Sequence, residues 1–220
     1  MKLPRLVTEI NEFFRLDNNS IGSFKRVVKV NRFLKNKGEF NYLIAGSWAI
    51  EAISNKEIEH DDIDLIILDN PCFYIDDAIT KEEHCCNVIP LPTNYIKENV
   101  IKVKLRKEIE AYVPSLTLQY CLKMIGQLEN DLPKRAISQS FILLSAYTNS
   151  DYYTIKEEIV YLLKNLTPAD FNVERVAEDM ISAIKSYKIK DLNNTELYLK
   201  NAHRKINDSL HKKFREMNLE

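Results

Sequence analysis

The sequence predicts an α/β unit over residues 1–114 followed by a helical bundle over residues 115–220. Three observations carry that expectation. Two short apolar runs, YLIA from Tyr42 and IDLIIL from Ile63, flank a segment, SWAIEAISNK, whose apolar residues recur at helical spacing. Between Asn70 and Val113 the runs FYIDDA, CCNVIPLP, NVIKVKLR and IEAYV read as strands or hairpin arms separated by polar and Pro-containing turns. After Pro114 the texture changes, and each long segment carries helical periodicity.

In chain order, Leu6, Ile10, Phe13 and Phe14 give a first helical pattern, and SFKRVVKVNRFLKNKG gives a second that closes at Gly38. YLIA follows as a short buried strand. The next helix takes Ser47 as its expected N-cap. IDLIIL is apolar almost throughout, which predicts burial on both faces and leaves Asp62 and Asp64 at its solvent-facing end. The later helical segments begin at Ser115, Leu132, Thr154, Asn172 and Asn193, with Ser115, Thr154 and Asn194 available as caps.

Composition narrows the class. A chain of 220 residues, 45% hydrophobic and 10% aromatic, can bury a core, so it is not disordered by composition. A formal charge of −1 gives no global reason to bind nucleic acid. MKLPRLVTEINEFF lacks the apolar centre of a signal peptide, and no run is long enough to span a bilayer; the expectation is a cytoplasmic protein with no membrane partner. The four cysteines show no CxxC pair, which suits that compartment. EHCC sets His84 beside Cys85 and Cys86, but neighbours on a strand face opposite ways, so the thiols read as small hydrophobes rather than metal ligands.

The chemistry concentrates between Tyr42 and Leu68. A strand that ends in Gly46-Ser47 at a helix N-terminus aims backbone N–H groups outward, which suits a phosphate. Asp62 and Asp64 alternate along a strand and share one face. Mg²⁺ takes one or two carboxylates plus phosphate oxygens, so this pair suits that ion together with a nucleoside triphosphate. The bland reading of the pair is an acidic turn before a strand.

AGSWAIEAI followed by EHDDIDLII resembles the nucleotidyltransferase superfamily, in particular the lincosamide and aminoglycoside nucleotidyltransferases and the minimal nucleotidyltransferases. YVPSLTLQYCLKM and LPKRAISQSFILL extend the resemblance more faintly. It implies a mixed sheet with flanking helices, followed by the helical bundle. It implies that Gly46 and Ser47 hold nucleotide phosphates, that Asp62 and Asp64 bind Mg²⁺ with Asp61 behind them or facing solvent, and that Lys123 contacts phosphate. On a helix, Lys123 also reads as part of a solvated face. The implied cofactors are Mg²⁺ and a nucleoside triphosphate, with ATP expected. The implied reaction moves a nucleoside monophosphate onto a hydroxyl of a small molecule, protein or RNA and releases pyrophosphate.

Active members of that superfamily carry a third carboxylate, as general base or metal ligand. Here NVIKVKLRKEIEAYV is basic around Lys102 to Lys104, where the acid is expected. Glu110 is the candidate, with Glu108, Asp76 and Asp77 as alternatives; on a hairpin arm Glu110 also reads as plain polar surface. Without a third acid the chain becomes a binding module, such as an antitoxin or regulatory partner, meeting another protein through its helical bundle. Lys102, Lys104, Arg106 and Lys107 then offer a basic face to RNA or an acidic partner, or serve only as edge-strand protection.

Overall fold

The computed structural model describes residues 9–10, 12–13, 22–37, 42–68, 72–77, 83–86, 97–125, 131–148, 151–167 and 171–217. The fold is mixed α/β, and the chain divides into two compact units, Met1–Ser115 and Leu116–Glu220.

In the first unit, helix α1 (Phe24–Lys35) forms because Val27, Val30 and Leu34 line one face, all fully buried. Ser23 starts it by accepting a hydrogen bond from the Arg26 amide at 3.3 Å. The helix stops at Asn36; the stop expected at Gly38 lies outside the described residues. Strand β1 (Tyr42–Ile44) is buried along its whole length, and helix α2 (Gly46–Ser54) follows it directly. Strands β2 (Asp62–Ile67), β3 (Cys72–Asp77) and β4 (Glu83–Cys86) complete a four-stranded sheet in the order β1-β2-β3-β4. Strands β5 (Val100–Leu105) and β6 (Ile109–Pro114) form a separate hairpin, with β6 beside β1.

Every described strand pair is antiparallel, whereas the resemblance implies a mixed sheet. Connection length accounts for three of these four pairs. The links from β2 to β3, β3 to β4 and β5 to β6 are too short for the crossover that a parallel pair requires.

Asn31, buried on α1, ties the parts together. Its Nδ2 donates to the Glu110 carbonyl at 3.0 Å, and its Oδ1 accepts from the Tyr42 hydroxyl at 2.6 Å. One polar side chain thereby joins α1 to both β1 and β6. Trp48, Ile63 and Leu65 pack with Val27 and Val113 in the same core, so the strand-end acids at Asp62 and Asp64 ride on a rigid apolar base.

The β5–β6 turn is unusual. Arg106 and Lys107 have φ of 46° and 61°, and the Glu108 amide donates to the Leu105 carbonyl at 3.0 Å. Both central residues of this Leu105–Glu108 turn, which lies in a three-residue hairpin loop, occupy the left-handed region that favours Asn or Gly. The Arg106 side chain is held by contacts described below, but Lys107 is exposed. Lys107→Gly is therefore expected to raise stability by about 0.5 to 1 kcal/mol, the left-handed strain less the added chain entropy. A urea melt reads it, and a lower midpoint would mean that the lysine side chain stabilises the turn.

The second unit contains α3 (Leu116–Ile125), α4 (Lys134–Ala146), α5 (Tyr152–Leu166), α6 (Val173–Lys188) and α7 (Leu192–Met217). The capping differs from the sequence expectation at two ends. Asp151, not Thr154, caps α5, accepting from the amides of Tyr153 and Thr154 at 3.2 and 3.4 Å. Asp191, not Asn194, serves the start of α7, accepting from the Asn194 amide at 3.2 Å. In both cases an aspartate three residues upstream reaches the first-turn amides and meets the positive helix end with a full charge. Ser115 directly precedes α3, and its amide donates to the Asn99 carbonyl at 2.7 Å. No helix among the described residues is long and apolar enough to cross a membrane.

Candidate functional site

The site begins where β1 hands over to α2. The Ala45 amide donates to the Asp64 carbonyl at 2.9 Å, holding the end of β1 against β2. Gly46 then turns the chain with φ of +58°, a conformation that L side chains resist. A Cβ on Gly46 would also lie 1.6 Å from Asp64 Oδ2, so the Asp64 carboxylate occupies the space a side chain would need. The Gly46 turn and the second acid of the Asp-x-Asp pair thus meet at one point.

Gly22 repeats the device on the other side. At φ of +72°, a Cβ there would lie 2.5 Å from the His60 carbonyl oxygen. The 60–64 segment therefore lies against two glycines, one just before α1 and one opening α2. Asp62 and Asp64 are half-buried while Ile63 between them is fully buried, the alternation expected of a strand with its acids on one face. The register sets Asp77 of β3 opposite Asp62 and Asp76 opposite Ile63.

Ser47 departs from the expected cap. Because the left-handed turn at Gly46 starts the helix early, the N-cap position is Ala45, and Ser47 falls inside the first turn. Its hydroxyl is 2.9 Å from His60 Nδ1, and His60 Nε2 is 2.8 Å from Glu51 Oε2. Ser47, His60 and Glu51 thus form a hydrogen-bonded chain in which all three side chains are buried.

Glu51 is the hub of this chain. Arg106 donates to it through Nε at 2.8 Å and through a terminal nitrogen at 3.2 Å, and the Ile58 amide donates to it at 3.1 Å. The guanidinium also reaches Glu57 at 3.1 Å and sits 5.1 Å from the ring centroids of both Phe24 and Trp48. Trp48 in turn stacks on His60 with centroids 3.5 Å apart and planes within 4°. Burial pushes the Glu51 carboxyl up, but the hydrogen bonds from Arg106, His60 and Ile58 outweigh it and leave it below the ordinary glutamate value. Glu51 is therefore an ionised, acceptor-only group.

Glu110 is half exposed on the hairpin and pairs with Lys102 at 2.8 Å. That hydrogen bond and charge hold its carboxyl below the usual range, the opposite of the raised pKa that suits a general base. Glu108 belongs to the turn, so it does not share a strand face with Glu110. Arg106 and Lys107 are turn residues too, and Arg106 faces Glu51 rather than extending the Lys102–Lys104 face. Lys123 lies half-buried in the last turn of α3, in the helical unit, where a cation also complements the helix dipole. His84, Cys85 and Cys86 lie on β4, His84 opposite Ile75 in the register. Among residues with described side chains, no three His, Cys, Asp or Glu groups cluster as a metal site.

Sequence reading missed Glu51 and Gly22, and put Arg106 on a basic strand face rather than against Glu51. Glu51 did leave a signal, since a lone carboxylate in the apolar helix GSWAIEAIS demands a buried partner. Gly22-Ser23 before a helix repeats Gly46-Ser47, in a chain with only four glycines, and that repetition was also legible. Nothing local identifies Arg106 as the partner of Glu51. No protein-family model and no curated protein matches this chain.

Proposed function

We propose that this chain is a Mg²⁺-dependent nucleotidyltransferase with a nucleotidyltransferase-type α/β unit, moving a nucleoside monophosphate from a nucleoside triphosphate, ATP being expected, to an acceptor hydroxyl. The observation that carries the reading is the Asp64 carboxylate resting against Gly46 at the N-terminus of α2. A helix N-terminus attracts anions, yet one anion is already there. A triphosphate can approach the same turn only if a cation offsets the repulsion between its oxygens and Asp64. The oxygen donors of Asp62 and Asp64 are hard ligands of the kind Mg²⁺ takes in company with phosphates, so the residues fit that ion.

When bound, Mg²⁺ supplies charge neutralisation on the phosphates and the leaving pyrophosphate. The chain's own contribution is to orient the triphosphate at the first turn of α2 and to hold the two carboxylates on a buried strand. The acceptor hydroxyl needs a base. Asp77, opposite Asp62 in the register, is the acid that the strand pairing favours over Glu110 for that role or for a further metal ligand.

The test is nucleotide binding with and without metal. Asp62→Asn and Asp64→Asn should each weaken Mg-ATP binding by about 10- to 100-fold while the thermal melt stays near wild type, because strand-end acids bear little of the core. Asp77→Asn should leave more binding than either and lose most of the transfer. Mg-ATP affinity unchanged in both Asp62→Asn and Asp64→Asn would end the proposal.

A second reading has its own observation. The Lys102–Glu110 pair removes the sequence's first candidate base, as in a nucleotide-binding module that transfers nothing and acts as an antitoxin or regulatory partner. Wild-type protein that binds Mg-ATP, shows no transfer to any hydroxyl acceptor in a broad screen, and binds a protein partner without nucleotide would favour it.

A further inference from the structure

One end of the helical unit exposes apolar surface together with positive charge. The start of α5 meets the end of α6 there, because Lys185 and Lys188 lie over the Tyr152 ring with Nζ at 5.1 and 5.4 Å from its centroid. At this end Ile189 is 77% exposed, Tyr153 70% and Leu192 49%. They are three of the six large hydrophobics exposed among the described residues, and singly scattered surface apolars do not gather in this way. The exposure is not fraying. The Lys190 amide donates to the Tyr187 carbonyl at 3.0 Å, the Asp191 amide to the Ser186 carbonyl at 2.9 Å and the Thr195 hydroxyl to the Asp191 carbonyl at 2.7 Å, so the α6–α7 turn holds Ile189 in solvent.

The charge at this end is mainly basic. Lys185, Lys188 and Lys190 lie within one helical turn of Ile189. Lys190 has φ of 61°, the left-handed position just past a helix where glycine is usual, so a lysine stands there against the backbone preference. Two ammonium groups on the one Tyr152 ring repel each other, and an external anion between them relieves that repulsion. The acids at this end are Asp151 and Asp191, and their carboxylates accept from the first-turn amides of α5 and α7. Glu157, one turn further along α5, bonds to the Tyr153 hydroxyl.

We propose that this end of the helical unit is a peripheral docking surface for an anionic bilayer. Ile189 and Leu192 enter the boundary between headgroups and acyl chains, Tyr153 sits at headgroup level, and the three lysines meet lipid phosphates with their stems along the apolar patch. A second copy of the chain is the poorer occupant, since self-pairing of this end sets lysines against lysines. A preformed protein groove is also poorer, because the most exposed apolar side chain sits on a projecting turn between helices. The inference is independent of the nucleotide reading. It departs from the sequence expectation of no membrane partner, which rested on the lack of a spanning run; an interfacial contact needs no such run.

Flotation of the full chain with vesicles of equimolar phosphatidylglycerol and phosphatidylcholine tests it. Wild type should float with these vesicles, stay free of pure phosphatidylcholine vesicles, and be released as salt rises. Lys190→Gly should weaken the partition about fivefold, the worth of one lysine near an anionic surface, while its thermal midpoint holds or rises as the left-handed strain is relieved. Ile189→Ser should weaken it about tenfold, part of the worth of burying an isoleucine, with the melt unchanged. Wild type that does not float with the anionic vesicles overturns the inference, and so does equal flotation of wild type and both variants. A dimer that Ile189→Ser dissolves, in protein that binds no vesicle, would give the surface to a second copy instead.

Discussion

Gly46→Ala is expected to remove metal-dependent nucleotide binding altogether and to lower stability by about 1 to 3 kcal/mol. Two costs arise at one atom. The backbone must keep φ near +58° with a Cβ present, and that Cβ would sit 1.6 Å from Asp64 Oδ2 and 2.9 Å from Asp64 Cβ. A carboxylate at the end of a short side chain can rotate away, so the fold survives. The rotation takes Asp64 off the N-terminus of α2, where the proposed metal–nucleotide site requires it. Gly22→Ala is the instructive comparison, because its Cβ would meet backbone atoms of His60 and Asp61 that cannot rotate. It should cost more stability than Gly46→Ala. Equilibrium melts and calorimetric titration with Mg-ATP read both effects, and Gly46→Ala with wild-type affinity would sink the account of the site.

The second large effect is expected at Glu51. Glu51→Ala leaves the Arg106 guanidinium, the His60 ring and the Ile58 amide without their common acceptor. Removing one partner of a buried ion pair costs about 3 to 5 kcal/mol, and the lower end applies because the Arg106 side chain is 30% exposed. The pH dependence follows with its sign. Glu51 has a folded-state pKa below its ordinary value of 4.5, so its stabilisation is complete above about 4.5. It is lost as pH falls through the lower folded value. Wild type should therefore lose stability on acidification below pH 4.5 more steeply than Glu51→Gln, which keeps the shape and has no proton to gain there. Urea midpoints over that range measure it. A loss of less than about 1 kcal/mol in Glu51→Ala would show that the pair is solvated in solution.

Much of the α/β unit was legible because its signals are local. Short apolar runs bounded by turn residues marked β1 and β2, and helical spacing marked α1 and α2, since each depends only on residues a few positions apart. Asp62 and Asp64 were readable as strand-end acids for the same reason. The caps at Asp151 and Asp191 were misread by three residues, because Thr and Asn also cap and the competition is decided by which side chain reaches the amides.

By itself, then, the sequence determined the strand–helix–strand unit with Gly46 at its turn, the two acids at the start of β2 and the helical texture after Pro114. Only the tertiary structure decided that Asp64 lies against Gly46, that Gly22 abuts His60, that Asp77 stands opposite Asp62, and that Arg106 closes on Glu51. The physical reason is separation along the chain. Arg106 and Glu51 are 55 residues apart, and no periodicity spans that distance. Their meeting is set by β6 lying beside β1 and by a strained turn that brings the Arg106 guanidinium, 5.1 Å from the Phe24 and Trp48 ring centroids, onto the ionised Glu51.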